Sequence, residues 1–369
     1  MKKLFFAIAA LAVMTGCNND ELVEVTPKQA IAFGNAFVDN ATRAIDNTLN
    51  TDNLESFKVY GSVTGTTGNV VNIYDGIDVK KQKSGETLTN KVQATTNDKT
   101  WYYDSQYTQY WVKDNRYEFA AIVNGTVKDF SQDANQKNNM PKTISYDADT
   151  QKDLLYASAV VNKATTDQGV VAFSFDHLLS KVQFTFTNTI ETNQKKSDTA
   201  SEIKYTYKVY SVDILNAYRE GTYNISEKKW TVSEVNKKRD RVRFGHITDV
   251  DNNSASKDEV AIEVGDYEKA ASATSHNSML LIPNNYTDLK IGCDIELLLN
   301  GQVIGKERLE LEGVKVNLQA GHAYNFIIEK GAPGEVIKFS VQNVNGWSNG
   351  NTQDSGDDND SVNDYVPVQ

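Results

Sequence analysis

The chain has 369 residues, of which 24% are charged, and a formal net charge of -11. An acidic surface repels a polyanionic backbone, which argues against nucleic acid as a partner. Two cysteines in this length exclude a disulfide framework, so stability must come from apolar burial, and the length suffices for two cores.

Lys2 and Lys3 precede an unbroken apolar run from Leu4 to Met14. The run is shorter than the roughly 20 residues of a spanning helix and has the proportions of a secretory h-region. It ends in Met14-Thr15-Gly16-Cys17, which resembles a bacterial lipobox with Met where Leu is usual. This predicts a lipoprotein signal peptide over 1–16 and lipid attachment at Cys17, tethering the protein to the outer membrane. Each buried methylene would add about 0.8 kcal/mol of membrane affinity. Asp20 and Glu21 resemble the acidic export signal of surface lipoproteins. With Cys17 acylated, Cys293 has no thiol partner in the chain.

Residues 30–40, "AIAFGNAFVDN", read as a strand with Ile31 and Phe33 on one face. A bulge at Gly34-Asn35 is expected to return Phe37 to that buried side. Ile31, Phe33 and Phe37 are therefore the expected anchors of this strand. Downstream, "LESFKVYGSV", "YEFAAIV", "VAFSFDH", "KVQFTFTN", "KVYSVDILNA", "KIGCDIELLLNG" and "HAYNFIIEK" alternate between Gly, Asn, Asp and Thr turns. Asn300-Gly301 suits a hairpin turn with both central residues at positive φ. The pattern predicts an all-β chain of sandwich layers. Composition breaks near 162–169 and after Trp347 give sandwiches over 44–168 and 169–349 and an acidic flexible tail over 350–369. That tail carries five Asp and ends in "YVPVQ", where Val366 and Val368 share one face of an extended segment.

Sites of chemistry are sparse. His-Glu-x-x-His, Gly-x-Ser-x-Gly and P-loop motifs do not occur. The four histidines, 177, 246, 276 and 322, are never at metal-ligand spacing; His177 and His322 read as turn or capping residues. Asp249, Asp251 and Asn253 start a calcium-like loop, but Ser254 and Val260 occupy the positions that need Gly and Glu. The aromatic run "WYYDSQYTQYW" reads as core, with a glycan-stacking surface as the alternative. Lys237, Lys238, Arg239, Arg241 and Arg243 read as a solvated strand face. No enzyme, cofactor or metal is expected.

Several stretches together resemble a fimbrillin: "YWVKDNRYEFAAIVNG", "DLLYA", "FSFDHLLSKVQFTFTN", "LLIPNN", "LQAGHAYNFIIEK" and "IKFSVQNVNGW". The resemblance spans about 54–347 and implies two tandem transthyretin-like β-sandwich domains in a pilus subunit. It also implies that an arginine-specific surface protease cuts the lipidated precursor near the first domain. Arg43-Ala44 lies at the family-like place, which implies a propeptide over 17–43 with a removable strand, and Arg43 is the one arginine ahead of Arg116. Loss of the strand before Arg43 would open a groove for a strand from another fimbrial subunit. Val366 and Val368 of the tail are the candidate donor residues. The alternative is a permanently lipidated surface protein, either an anchor subunit or a glycan binder.

Overall fold

The computed structural model describes residues 28–38, 48–96, 99–131, 140–166, 168–190, 203–232, 262–265, 272–274, 278–332, 335, 337–344 and 363–365. Cys17, Arg43, Ala44, Val366, Val368, His246, His276, the calcium-like loop and the 237–243 basic run lie outside the described residues. The described part is all-β, with no α-helix. In chain order the strands are β1 Phe33–Val38, β2 Ser56–Thr64, β3 Val70–Lys81, β4 Lys91–Thr96, β5 Lys99–Asp104, β6 Arg116–Val123, β7 Thr126–Ser131, β8 Met140–Asp147, β9 Leu155–Val161, β10 Val171–His177 and β11 Ser180–Asn188. They continue as β12 Tyr205–Leu215, β13 Glu220–Asn224, β14 Lys229–Val232, β15 Ile262–Val264, β16 Ser272–Thr274, β17 Met279–Leu281, β18 Asn285–Leu299, β19 Gln302–Asn317, β20 Ala323–Lys330, β21 Ile337–Val344 and β22 Asn363–Tyr365.

Eight strands form the first sheet, in the order β1-β10-β9-β6-β2-β3-β5-β4. It curls until its ends meet, so that β1 touches both β4 and β5. Alternation puts Phe57, Val59, Tyr74, Trp101, Tyr103, Phe119, Phe173 and Phe175 on the enclosed face, where they make an aromatic core. A second core lies between the β16-β11-β20-β21-β22 and β15-β12-β18-β19 sheets and includes Phe184, Phe326, Phe339, Ile295 and Leu311. Cys293 is fully buried there, and burial pushes its thiol well above the ordinary range, so it is an inert apolar filler. The β18–β19 hairpin turns at Asn300 (φ 49°) and Gly301 (φ 80°), as the Asn-Gly pair predicts.

The sheets do not divide at the composition break near residue 168. β10 follows residue 168 yet pairs with β9 and β1 in the first sheet. β8 precedes residue 168 yet pairs with β13, through Glu220↔Asp147 to Asn224↔Thr143, and adds Ile144 and Tyr146 to the second core. The chain leaves the first sheet for β7 and β8, returns for β9 and β10, and leaves it again at Leu178-Leu179, both buried.

A local motif recurs in both parts. The Tyr117 oxygen accepts the Val112 N–H (2.9 Å) and its hydroxyl donates to the Tyr110 carbonyl (3.4 Å). The Tyr324 oxygen accepts the Gln319 N–H (2.9 Å) and donates to the Asn317 carbonyl (3.3 Å). The third residue before each tyrosine has positive φ, Asp114 at 65° and Gly321 at 70°. Both are tyrosine corners, in which a phenol pins the chain entering a strand.

Candidate functional site

Among the described residues, the N-terminal strand and the groove it fills are where the sequence expectations put an interaction site. β1 runs parallel to β10 at one end of the first sheet, pairing Phe33↔Val171, Gly34↔Ala172, Phe37↔Ser174 and Val38↔Phe175. The residues just before it bridge to the other end. The Ile31 N–H donates to the Gln109 carbonyl (2.8 Å), and the Trp111 N–H donates to the Gln29 carbonyl (3.1 Å). Segment 29–38 thus closes the seam of the curled sheet, bonded to different elements on its two sides.

Ile31 and Val38 are 0% exposed, Phe33 is 1% and Ala36 is 4%. The Phe33 ring sits among Tyr74, Tyr103, Phe119 and Phe173, with centroid distances of 5.3, 5.7, 5.6 and 5.9 Å. Burying Ile31, Phe33 and Val38 contributes about 5–9 kcal/mol at roughly 1.5–3 each. That is comparable with the net stability of a whole domain, about 5–15 kcal/mol.

Phe37 corrects the expected anchor set. It is 49% exposed, and its neighbours Ala36 and Val38 are buried instead. The expected bulge exists, as a register shift between Gly34 and Phe37. Side chains alternate with period two, so an inserted residue reverses the parity. Ile31 and Phe33 point inward before the bulge, and even-numbered residues point inward after it. The bulge therefore throws Phe37 out.

Polar groups hold the strand at both ends. The Tyr103 hydroxyl donates to the Ile31 carbonyl (2.6 Å), and the Tyr74 hydroxyl lies 3.2 Å from that of Tyr103. Burial raises both phenols, Tyr103 to about 12. At the far end the Val38 N–H donates to Thr51 Oγ1 (2.9 Å), and that hydroxyl donates to the Val38 carbonyl (2.7 Å). Next along the chain, the Leu49 N–H donates to Asp153 Oδ2 (2.9 Å), which also lies 2.8 Å from His177 Nδ1. His177 and Asp153 are buried at the end of the first sheet, where they pin the 48–51 segment.

The fimbrillin-like family profile matches residues 42–347. The chain belongs to the fimbrillin-like family. Among solved structures, a fimbrial protein from Bacteroides vulgatus is 13% identical, with a TM-score of 0.50 over 86% of this chain and 99% of that one. A candidate cell adhesion protein from Bacteroides ovatus is 14% identical, with a TM-score of 0.44 over 86% of this chain and 97% of that one. The likeness to the Bacteroides vulgatus protein, at such identity, speaks for the fold alone. No curated protein matches the chain significantly. Membership of the fimbrillin-like family implies a fimbrial or adhesion role at the cell surface, alongside other fimbrial subunits.

Elsewhere among the described residues of this fimbrillin-like chain, the candidate residues divide between core and surface. Trp101, Tyr103 and Trp111 of the aromatic run are buried, whereas Tyr107 and Tyr110 are 45% and 48% exposed. His322 Nδ1 lies 2.9 Å from the Ala320 carbonyl within its own turn. Among the described residues no cluster of His, Cys, Asp and Glu could hold a metal ion. A shallow cavity of about 520 Å³ beside β8 and β13 is lined by Lys128, Ser145, Asp147, Glu220 and Thr222, without a convergent acid, base or nucleophile. Sequence reasoning missed the Tyr74–Tyr103 pair and the Thr51 clamp, since neither has a local signature: their partners lie far along the chain.

Proposed function

We propose that this protein is a structural subunit of cell-surface fimbriae, exported as a lipoprotein precursor and polymerised by strand exchange. Lipid on Cys17 holds the precursor at the outer membrane. An arginine-specific protease cuts after Arg43, between β1 and the 48–51 segment, leaving Ala44 as the new N-terminus. β1 is then held only by non-covalent contacts, and its departure opens an apolar groove with unpaired backbone groups on both sides. A strand from another subunit supplies the lost hydrogen bonds and side-chain anchors. Groove and donor lie on different surfaces, so the contact is head-to-tail and extends into a filament.

The observation that carries this reading is the pairing of depth with detachability. Segment 29–38 fills the seam of the first sheet with fully buried side chains, yet one covalent connection, 39–47, joins it to that sheet, and that connection holds Arg43.

Arg43→Ala is the direct test. Protein sheared from cells should begin at Ala44 and form SDS-resistant ladders in the wild type. The variant should accumulate as uncut precursor without fibres. Ladders from the variant would overturn the scheme. So would a wild-type chain that keeps lipidated Cys17 and stays monomeric, an outcome that fits a permanently lipidated surface protein.

A further inference from the structure

Among the described residues nine large apolar side chains are exposed, and three of them, Tyr107, Tyr110 and Val112, fall on one short segment. Apolar residues scattered singly over a surface need no partner, whereas a gathered set calls for one. This set is presented by the same bonds that seat the N-terminal segment. The Ile31 N–H to Gln109 carbonyl bond and the Trp111 N–H to Gln29 carbonyl bond flank the bridge of Ala30 to Tyr110. Ile31 and Trp111 are buried on the inner side, so period-two alternation turns Ala30, Tyr110 and Val112 outward. Ala30 offers only a methyl group beside the Tyr110 ring.

The antiparallel order of that bridge carries residues 112 and 113 toward Lys28. Lys28 and Lys113 are exposed and have no ion-pair partner among the described residues. The carboxylate next to them, Asp114, lies 3.3 Å from the Lys163 ammonium. An apolar, tyrosine-bearing surface with a cationic rim therefore sits where the N-terminal segment enters the fold. Cys17 lies twelve residues before Gln29. At roughly 3.3–3.6 Å per residue, a tether of that length reaches at most about 40 Å. Lipid on Cys17 would keep this end of the first sheet close to the bilayer. Tyrosine suits that boundary, since its ring is apolar and its hydroxyl polar, and neighbouring lysines attract anionic headgroups.

Resting on the reading of Cys17 as lipidated, we propose that Tyr107, Tyr110 and Val112, with Lys28 and Lys113 beside them, dock the uncut precursor on an anionic lipid bilayer. The lipid keeps the protein near the membrane, and this surface fixes which end faces it. The segment that carries the lipid is also the one that backs Tyr110. Its removal withdraws both holds together: the lipid departs, and the 109–111 backbone loses its two hydrogen bonds to positions 29 and 31.

The test uses the full lipidated precursor in vesicles of phosphatidylethanolamine and phosphatidylglycerol with brominated acyl chains, which quench an indole seated at the bilayer surface. Indoles are introduced one at a time as Tyr110→Trp, Val112→Trp and, for comparison, Val303→Trp on the β18–β19 hairpin. All three positions are equally exposed, at 48%. The emission gained with Tyr110→Trp or Val112→Trp should be largely lost in brominated vesicles, and that gained with Val303→Trp retained. Added to Tyr110→Trp, Lys28→Gln and Lys113→Gln should each lower the ratio of docked to undocked protein about fivefold. Equal quenching at all three positions would mean nearness without a preferred face and overturns the proposal. So does protection of the Tyr110→Trp indole from acrylamide by mannan or xylan oligosaccharides but not by vesicles, the behaviour of a glycan-stacking surface. If the precursor is acylated and sediments with vesicles while the indoles at 110 and 112 stay bright, docking falls and the lipoprotein reading stands. If mass spectrometry finds Cys17 unmodified and the precursor stays in solution, the lipoprotein reading fails, and the docking surface with it.

Discussion

β11 and β20 run parallel through eight consecutive pairs, from Lys181↔Ala323 to Asn188↔Lys330, without a bulge. β1 and β10 are also parallel, but a bulge interrupts them after two pairs. β20 carries a second full ladder on its other side, to β21. Away from β10, the described residues give segment 29–38 the bridge of Ala30 to Tyr110, the phenol of Tyr103 and the Thr51 hydroxyl, but no ladder. Cross-strand side chains such as Thr185 and Asn325 (3.0 Å) further tie β11 to β20. Burial does not separate the two strands: Phe33 and Phe326 are equally hidden. What differs is the directional bonding. Apolar burial is non-directional and holds any strand of the right shape, whereas a complete ladder on both sides admits one partner. β1 has the depth of a core strand with the ladder of an edge strand, as a replaceable element requires.

Hydrogen exchange can break this comparison most forcefully. Phe33→Ala and Phe326→Ala each remove a buried ring and should cost about 3–5 kcal/mol. In the first variant the loss of protection should be confined to β1 and β10, a local opening. In the second it should spread through β11, β20 and β21 together. Equal, global loss in both variants would mean that β1 is as integral as β20.

Alkaline pH sharpens the contrast next. The Tyr103 phenol ionises near 10 in an unfolded chain and at about 12 here, because burial penalises the phenolate. A raised value means that this contribution is complete below pH 10 and is lost as pH rises through 12. Two units correspond to about 3 kcal/mol at about 1.4 each. Release of β1 from protein cut after Arg43 should accelerate between pH 10 and 12, and Tyr103→Phe should diminish that step, leaving the part due to Tyr74, which burial also raises. A smaller effect comes from the far end of the strand. Thr51→Val keeps the shape of the clamp but deletes both hydrogen bonds to Val38, at about 1–2 kcal/mol. Urea denaturation followed in the first core should report it.

Much of the fold was legible because a half-buried strand writes its faces into the sequence with period two. "VAFSFDH" alternates buried and exposed along β10, and Asn300-Gly301 marks its hairpin through the φ values that only such pairs adopt readily. The placement of the sheets was less legible. Pairing of β8 with β13 joins residues far apart along the chain, and no composition break announces it. The recurring corner was in plain view, as "YWVKDNRYEF" and "NLQAGHAYNF", but the two share only the tyrosine, the phenylalanine and an apolar residue near the start. Its other requirement, a positive φ, is met by Asp in one copy and Gly in the other. In the groove, Ile31 and Phe33 were readable from alternation, while Tyr74 and Tyr103 looked like any strand aromatics until the carbonyl of Ile31 stood beside them.

The smallest effect tests the parity of β1. Phe37 and Val38 are adjacent, and a plain alternation starting from Ile31 and Phe33 would bury Phe37 and expose Val38. The bulge reverses this. Phe37→Ala, on the outer face, should change stability by less than about 0.5 kcal/mol despite losing an entire ring. Val38→Ala loses two methyl groups from a site with no exposure and should cost about 1.5–3 kcal/mol. The smaller truncation is therefore expected to do the greater damage, as read by the midpoint of urea unfolding. The opposite order would place the extra residue beyond Val38, and with it Ala36 would no longer face the aromatic core that Phe33 anchors.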